Sequence, residues 1–243
     1  MGLVVRWIYR NSNLVFIQSK QFEESVKRWG GVDTEIQYLP NWAPQLFETH
    51  LKSKNANSES KIKLLFAGNL GRAQGVSYLL DAMNILKNEN VVLDIYGDGS
   101  EKPLLMDKIK KLDLFDKVKL KEVLPLEQMP GLYEKYDALV VSLIDDKNLE
   151  RVLPSKVQGY LASGKPILAM GSGELKRVIV ESESGYVCDP EDAKSFSEIV
   201  LKFLKMSRGD RSILGSHGKN YYFNNFSRNN QINQIIQQFK KAG

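Results

Sequence analysis

The 243-residue chain is 42% hydrophobic, which is enough apolar sequence to bury a substantial core and argues against a disordered protein. Its 34 lysines and arginines are scattered among 29 acids, so the net charge of +5 gives little support to nucleic-acid binding; a basic face could equally meet phosphates or an anionic membrane. No apolar run is long enough to span a membrane, and residues 1–10 lack the apolar core and cleavage site of a signal peptide. We therefore expect a cytosolic protein with no nucleic-acid partner.

Cysteine and histidine are too few for the common disulfide and metal sites. Cys188 is the single cysteine, which excludes an intramolecular disulfide and fits a reducing compartment. Its place in the apolar segment GYVCD predicts a buried strand residue rather than a nucleophile. With only His50 and His217, a multi-histidine metal site is not expected.

The start of the chain predicts an incomplete α/β unit. Residues 13–19 (NLVFIQS) and 35–41 (EIQYLPN) predict two strands, and the apolar residues between them predict a helix. That helical face carries Phe22, Val26 and Trp29. Because two strands do not form a stable sheet alone, we interpret residues 1–45 as the remnant of a larger domain. The polar, turn-rich sequence within residues 46–60 predicts a linker.

Strands and helices alternate almost without interruption after the linker. The predicted strands are 63–68 (KLLFAG), 91–97 (VVLDIYG), 117–123 (KVKLKEV), 137–143 (DALVVSL), 166–170 (PILAM) and 185–189 (GYVCD). Apolar residues at helical spacing mark the crossovers between them, for example Val76, Leu79, Leu80, Met83 and Leu86. Short apolar strands separated by helices predict an α/β fold, a Rossmann-like doubly wound parallel sheet over residues 61–218.

The C-terminal segment, residues 219–243, predicts a helix that needs a surface to cover. One stripe of it carries Ile232, Ile235, Ile236 and Phe239. It follows the sequence YYFNNFSRNN, which we expect to be irregular, and we expect the helix to pack back toward the N-terminal part.

Parallel α/β sheets bind ligands beyond the carboxyl ends of their strands, and the first candidate loop there is AGNLGRAQG, residues 67–75. Its glycines would let the backbone approach a ligand, and Arg72 adds a cation suited to phosphate. The loop lacks the Gly-Lys-Ser/Thr ending of a Walker motif and the spacing of the dinucleotide fingerprint. A plain turn between strand and helix remains an alternative.

The second candidate loop is YGDGSE, residues 96–101. Gly97 and Gly99 free its backbone, and Ser100 suits the cap of the following helix, whose first N–H groups would face a ligand. A tight turn with a capping serine is the alternative.

The third candidate is RVLPSKVQGYLASGKPILA, residues 151–169. Pro154 presets a turn, Ser155 suits a helix N-cap, and Lys156 stands in the first turn, where the helix dipole favours an acid. A bound anion would turn this small cost into a gain, because the free N–H groups and Lys156 would hold it together. A solvated surface lysine is the alternative.

In this order, the loops resemble those of the C-terminal, nucleotide-sugar-binding domain of the retaining GT-B glycosyltransferases, the group 1 family. The matching segments are LLFAGNLGRAQGVSYLLDAM, LDIYGDGSEKPLL, LPLEQMPGLYEKYDALVVSL, LPSKVQGYLASGKPIL and ESGYVCDPED. Residues 1–45 are similar to the end of the family's N-terminal, acceptor-binding domain, so the resemblance implies a partial N-terminal domain and a truncated chain.

The resemblance implies transfer of a hexosyl or N-acetylhexosaminyl group from a nucleotide diphosphate donor to an acceptor hydroxyl, with retention. It implies a UDP-linked donor, no other cofactor and no metal. The pattern PSK…YLASGKP is similar to a bacterial surface-polysaccharide branch, which makes capsule or O-antigen. That branch implies a carbohydrate or lipid-linked sugar acceptor, and a cytoplasmic location at the inner face of the membrane, reached through the missing N-terminal domain.

The resemblance also assigns site residues. Arg72, Lys156 and Glu150 would act in catalysis, the two cations on the leaving diphosphate and Glu150 on the donor sugar. The donor contacts would come from Gly68, Asn69, Gly71, Gln74, Gly97, Ser100, Val123, Leu124, Pro154 and Ser155. Of these, the loop at residues 121–125 would hold the base.

Two departures from the family pattern stand out. The glycine loop has Asn69 and Gln74 where the family commonly has an arginine and a lysine. The donor helix has Arg151 and Gly159 where the family commonly has two glutamates, and Glu150 lies one residue away from the first place.

Two other functions remain as alternatives. A non-catalytic nucleotide-sugar-binding or partner subunit would tolerate altered carboxylates. A nucleotide-sugar epimerase on the same architecture would require acid and base groups that the cleft sequence does not show.

Overall fold

Two parallel sheets organise the chain in the computed structural model, which describes residues 2–31, 34–49 and 61–242. The smaller sheet contains β1 (Val15–Ile17) and β2 (Ile36–Tyr38). The larger contains β3 (Ile62–Ala67), β4 (Val91–Tyr96), β5 (Val118–Lys121), β6 (Ala138–Ser142), β7 (Ile167–Met170) and β8 (Gly185–Cys188).

Helices follow nearly every strand. They are α1 (Gly2–Arg10), α2 (Glu23–Gly30), α3 (Gln45–Thr49), α4 (Val76–Ile85), α5 (Lys102–Lys111), α6 (Met129–Glu134), α7 (Lys156–Ser163), α8 (Gly173–Glu181), α9 (Ala193–Leu204), α10 (Arg208–Asn225) and α11 (Arg228–Ala242). None of the helices within the described residues is both long and apolar enough to cross a bilayer.

The larger sheet has the strand order β5-β4-β3-β6-β7-β8, with every neighbouring pair parallel. The chain begins in the middle with β3, builds outward to β5, and then returns to the other side of β3 with β6. The carboxyl ends of β3 and β6 therefore lie at the topological switch point, where such sheets form a crevice for ligands. The predicted Rossmann-like doubly wound sheet is confirmed.

Each face of the larger sheet has its own apolar core. Phe66 of β3 belongs to the core formed with α4, α5 and α9, whereas Leu65 and Ala67 belong to the core formed with α6, α7 and α8. The alternation along β3 places neighbouring side chains on opposite faces. Leu64, Leu65 and Phe66 are all fully buried, as expected for a strand covered on both sides.

The N-terminal strands and the helix between them form as predicted, but α1 is an additional element. It packs against α2, where Gly2 lies against the ring of Trp29. Its other face is left open, because Leu3 and Trp7 are 82% and 67% exposed. The spacing of the apolar residues in GLVVRWIYR is the sequence signal for this helix.

The predicted linker at residues 46–60 overlaps α3, and the rest of it, residues 50–60, lies outside the described residues. Phe47 of α3 is buried, with its ring stacked on Tyr133 of α6 at a centroid distance of 5.4 Å. This contact fixes the end of the N-terminal part onto the larger domain.

The prediction of an irregular segment at YYFNNFSRNN is wrong for most of its length. Helix α10 continues through Asn225, and only Phe226 and Ser227 separate it from α11. The glycines of α10 weaken its sequence pattern, but they serve close packing. A Cβ at Gly215 would lie 2.2 Å from the carbonyl oxygen of Gly164. The proposed division between residues 218 and 219 falls inside this helix.

The C-terminal helices meet the N-terminal part at Glu48. The Tyr222 hydroxyl donates to Glu48 at 2.7 Å, and the same hydroxyl accepts from the backbone N–H of Ala43 at 3.1 Å. The apolar stripe of α11 is only partly covered, since Phe239 is 72% exposed.

Cys188 ends β8 as a buried residue, as its sequence context predicts. Burial first, and then the nearby acids Asp192 and Asp189, raise the pKa of its thiol to about 12. Because the thiolate is the reactive form, we expect no reaction with Ellman's reagent near pH 8 until denaturant is added. Labelling of the native chain at the rate of a free thiol would contradict this placement of Cys188.

Candidate functional site

The first two candidate loops lie together beyond the carboxyl ends of β3 and β4. Gly68 donates its backbone N–H to the carbonyl of Tyr96 at 2.9 Å, and Leu70 donates to the carbonyl of Asp98 at 2.8 Å. The carbonyl of Leu70 then accepts from the N–H of Glu101 at 2.9 Å. These bonds extend the pairing of β3 and β4 past the ends of the strands, so the two loops form one surface.

Glycine is required where these loops touch. A Cβ at Gly97 would lie 2.0 Å from the carbonyl oxygen of Gly68, and a Cβ at Gly99 would lie 2.6 Å from the carbonyl of Leu70. Gly99 also has a φ of +154°, which disfavours a side chain. The two loops approach this closely only because neither glycine carries a side chain.

The third loop brings Lys156 to the same surface. Its ammonium nitrogen is buried and has no hydrogen-bond partner within the part of the chain that the structure describes. It lies 4.0 Å from the centre of the Phe66 ring, and a Cβ at Gly68 would come within 2.6 Å of it. Burial lowers the pKa of Lys156 to about 8. An ammonium in this position is short of a counter-charge.

The turn before α7 is fixed by a side chain of α7 itself, that of Gln158. Ser155 occupies the N-cap position, as the sequence predicts, but its hydroxyl makes no capping hydrogen bond. With its amide nitrogen assigned toward the turn, Gln158 donates to the carbonyls of Ser155 at 2.9 Å and Pro154 at 3.3 Å. The turn is therefore fixed through its carbonyls, and no side chain caps the helix end.

Asn69 and Gln74 bond to each other across the glycine loop. The Asn69 amide nitrogen donates to the Gln74 side-chain oxygen at 3.3 Å, and the same oxygen accepts the backbone N–H of Gly71 at 3.1 Å. These contacts close the loop without adding charge. Two amides therefore shape the loop at the places where the family commonly has an arginine and a lysine.

Arg72 lies at a cavity beside the glycine loop. It helps to line an open cavity of about 790 Å³, and neither Lys156 nor Gly68 is among the lining residues. The other polar side chains there are Ser77, Tyr78, Glu101, Asp145, Asp146 and Glu191. Arg72, which the resemblance assigns to the diphosphate together with Lys156, thus lies among acidic side chains.

Glu150 lies in the short 3-10 turn Leu149–Arg151 before α7, and it contacts the N-terminal end of α8. Its carboxylate accepts a hydrogen bond from the Ser172 hydroxyl at 3.0 Å, and its backbone carbonyl lies so close to Gly173 that a Cβ there would come within 2.1 Å. Neighbouring Arg151 is exposed. Glu150 therefore keeps one carboxylate oxygen in a contact within the protein.

Gly159 is covered by the N-terminal part of the chain. A Cβ at this position would meet the ring of Phe47 at 3.5 Å, which is an ordinary packing distance. Phe47 thus occupies the space beside the place where the resemblance implies a ribose-binding glutamate.

The remaining predicted donor contacts, Ser100, Val123 and Leu124, are exposed or only partly buried. Ser100 is exposed and precedes Glu101, the N-cap residue of α5, so the prediction that Ser100 caps this helix is wrong. Val123 is 60% exposed in the loop after β5, and Leu124 is half-buried against the core. The loop after β5 joins the surface through Gly97, whose N–H donates to the carbonyl of Lys121 at 3.3 Å.

Two aromatic residues at this site escape prediction from sequence. Phe66 reads only as a core residue of β3, and Tyr160 only as a core residue of α7. The Tyr160 hydroxyl bonds to both the N–H and the carbonyl of Ala67, each at 3.3 Å, and so ties α7 to the end of β3. Both contacts join residues far apart in sequence, so no local pattern predicts them.

The described residues contain no group of three or more histidine, cysteine, aspartate and glutamate side chains placed to hold a metal ion. The groups that this surface offers to a ligand are backbone N–H groups, amides and the Lys156 ammonium.

The chain is similar in sequence to one protein family and in fold to several solved structures. The sequence profile of the family described as glycosyl transferases group 1 matches residues 47–221. HepE of Anabaena, solved in complex with UDP and glucose, superposes with a TM-score of 0.80 at 15% identity, over 98% of this chain and 66% of that one. TarM of S. aureus, solved with fondaparinux, α-GlcNAc-glycerol and UDP, gives a TM-score of 0.78 at 14% identity, over 98% of this chain and 45% of that one. Likeness at this level shows the fold.

Two curated relatives are longer than this chain. WbjE of Pseudomonas aeruginosa, described as a probable glycosyltransferase, is 25% identical over 91% of this chain and 56% of its own length. WcaI of Escherichia coli (strain K12), whose name assigns it to colanic acid biosynthesis, is 22% identical over 75% of this chain and 44% of its own. The chain therefore spans about half the length of the curated relatives it matches.

Proposed function

Because this chain belongs to the group 1 glycosyl transferases, we propose that it takes part in transferring a sugar from a nucleotide diphosphate donor to an acceptor hydroxyl, with retention of the anomeric configuration. One observation carries the proposal. The buried ammonium of Lys156 has no hydrogen-bond partner in the described residues, and it lies beside two glycine loops at the switch point of the sheet. An anion bound there would supply the missing counter-charge.

The chemistry requires such a group. When the bond between the sugar and the diphosphate breaks, negative charge develops on the departing diphosphate. A fixed ammonium and the first N–H groups of α7 would stabilise that charge more in the transition state than in the ground state. In this proposal the Lys156 ammonium stabilises the negative charge, and the turn of Pro154 and Ser155 would place the N-terminal end of α7 at the diphosphate.

Other residues would shape the rest of the donor site. Gly68 leaves space for the Lys156 nitrogen, Gly97 lets the two loops approach each other, and Asn69 and Gln74 would offer amides to the donor at the rim. Val123 and Leu124 would border the base. Glu150 would meet the donor sugar with the carboxylate oxygen that Ser172 does not hold. Arg72 would serve only if its side chain leaves the acid-lined cavity.

We propose a UDP-linked hexosyl or N-acetylhexosaminyl donor and a role in bacterial surface polysaccharide synthesis. Supporting points are the UDP complexes of HepE and TarM and the name of WcaI. The acceptor would be a carbohydrate or a lipid-linked sugar, and the protein would work in the cytoplasm at the inner face of the membrane.

We also propose that transfer requires a larger N-terminal domain than the described residues form. The sheet of β1 and β2 has only two strands, and α1 leaves Leu3 and Trp7 exposed. A sheet of this size needs further strands or a covering layer. Such a domain would complete the acceptor side of the cleft, and this chain alone would bind donor but transfer little sugar.

A non-catalytic donor-binding subunit is the second candidate. Phe47 covers Gly159, and Glu150 shares its carboxylate with Ser172, so the usual pair of free glutamates on the donor helix is absent. This arrangement would still allow binding through Lys156.

The experiment is a turnover assay with UDP-glucose, UDP-N-acetylglucosamine and GDP-mannose as donors and a lipid-linked sugar as acceptor. It compares this chain with the same chain extended by the N-terminal half of WbjE. Release of nucleoside diphosphate together with an α-linked product from an α-linked donor, in the extended protein, would support retaining transfer. Donor binding without turnover in either protein would favour the non-catalytic subunit, and conversion of the donor sugar without an acceptor would favour an epimerase.

A further inference from the structure

The ammonium of Lys156 is held in an unusual setting. It is buried, and no carboxylate, carbonyl or hydroxyl within the described residues accepts a hydrogen bond from it. A buried cation without such partners carries a desolvation cost, which its lowered pKa reflects. The contact that remains is with an aromatic face, because the nitrogen lies 4.0 Å from the centre of the Phe66 ring.

Three features fix the position of the Lys156 ammonium over the Phe66 ring. Tyr160, one helical turn after Lys156, bonds to the backbone of Ala67 and so fixes α7 at the end of β3. Phe66 precedes Ala67, and its ring is fully buried, so it cannot turn away. Gly68 follows Ala67, and only the absence of a side chain there leaves space for the nitrogen.

No charged side chain on the neighbouring elements that the structure describes acts as a partner of the Lys156 ammonium. The helices packed against α7 are α3, α6 and α10. The titratable groups on these helices and on β3 are Lys63, Glu48, Tyr133, Glu134, Arg208, Asp210, Arg211, His217, Lys219, Tyr221 and Tyr222. None contributes to the pKa of Lys156, for which burial is the cause. Glu150 and Asp98, on nearby loops, contact Ser172 and Lys102 instead.

We propose that Phe66 is a positioning residue of the anion site, whose ring face holds the Lys156 ammonium charged and in place beneath Gly68 until a diphosphate binds. This inference rests on the proposed donor site. It assigns a function to a residue whose sequence context shows only a buried strand. The negative face of an aromatic ring attracts a cation, most strongly where water is excluded, and so favours the protonated lysine.

The test replaces Phe66 with 3,4,5-trifluorophenylalanine, which keeps the shape of the ring and removes most of the negative charge from its face. The probe is inorganic pyrophosphate, titrated calorimetrically at pH 6, 8 and 9. A pKa lower by about one unit would weaken binding about fivefold at pH 8 and about tenfold at pH 9, with less than a twofold change at pH 6. Taking the ratio to the unsubstituted chain cancels the titration of pyrophosphate itself.

Two controls make the result specific. Phe196 is a fully buried phenylalanine in the same core and has no cation on its ring among the described contacts, so the same fluorination there should leave binding unchanged at every pH. In a Lys156→Met background, fluorination at Phe66 should also have no effect.

The role of Phe66 would be overturned if the fluorinated and unsubstituted chains bound pyrophosphate equally at all three pH values. It would also be overturned if fluorination weakened binding by the same factor at pH 6 and pH 9, or if fluorination of Phe196 caused the same loss of affinity. If pyrophosphate binding depends on Lys156 but not on fluorination, the role of Phe66 fails while the donor site stands. If the unsubstituted chain binds neither pyrophosphate nor a nucleoside diphosphate, both fail.

Discussion

Replacing Lys156 with methionine should weaken binding of a nucleoside diphosphate by about 1.5–3 kcal/mol, or roughly 10- to 150-fold. Methionine fills a similar volume without charge, so the loss reports the ammonium rather than a cavity. Binding of the bare nucleoside should change less than about twofold, because it has no phosphate for Lys156 to meet. Calorimetric titration with UDP, GDP and uridine measures both effects.

The same substitution should make the empty chain more stable. The pKa of Lys156 falls from 10.5 to about 8 on burial, which corresponds to about 3 kcal/mol at about 1.4 kcal/mol per pH unit. This cost falls on the folded state while the lysine is charged, so it is fully present below about pH 8, decreases as the pH rises from about 8 to 10.5, and is absent above that. Lys156→Met should therefore raise the melting temperature at pH 7, and this gain should vanish in strong alkali.

Lys147→Met is the matched control, because Lys147 is exposed on the neighbouring loop. It should leave both diphosphate affinity and stability nearly unchanged. Equal losses of UDP and uridine binding in Lys156→Met would contradict a phosphate role for Lys156. A lower melting temperature would contradict its position as an uncompensated buried charge.

Gly97→Ala should destabilise the chain by about 3 kcal/mol or more and should also weaken diphosphate binding. The new Cβ would lie 2.0 Å from the carbonyl oxygen of Gly68, and that oxygen belongs to backbone that cannot rotate away. Gly68 is in turn bonded to Tyr96, so relief requires the two loops to separate. For a chain of this length the melting temperature should fall by about 6–12 °C.

Gly131→Ala provides the comparison. Gly131 lies inside α6, and a Cβ there would meet nothing within 4 Å. Alanine favours the helix by up to about 1 kcal/mol, so this variant should be as stable as the parent or slightly more stable. If thermal unfolding gave the same midpoint for Gly97→Ala and Gly131→Ala, the close approach of the two loops would be contradicted.

The strands of the larger sheet were predictable from sequence for a physical reason. Each is a short apolar run, and several end at a glycine or polar loop, as where Ala67 is followed by Gly68. The glycines of α10 show a limit of the same reasoning. In a helix pattern they suggest a break, but Gly215 and Gly218 are needed where α10 packs against backbone and against Ser184. Which of the two roles a glycine has depends on a neighbour distant in sequence.

The candidate site was predictable in outline. Glycine and proline mark its loops, and a lysine in the first turn of α7 conflicts with the helix dipole, so Lys156 could be singled out. The acids around Arg72 could not, because Asp145, Asp146 and Glu191 come from loops distant in sequence and only the fold brings them to one cavity. The covering of Gly159 by Phe47 likewise depends on a contact across the linker.

A crystal structure of this chain with UDP or GDP, whichever binds, would show which residues hold the diphosphate. We expect an oxygen of the diphosphate within about 3 Å of the Lys156 nitrogen, at the N-terminal end of α7 and beside Gly68. A diphosphate bound beside Arg72 in the acid-lined cavity, with Lys156 still lacking a partner, would contradict the account.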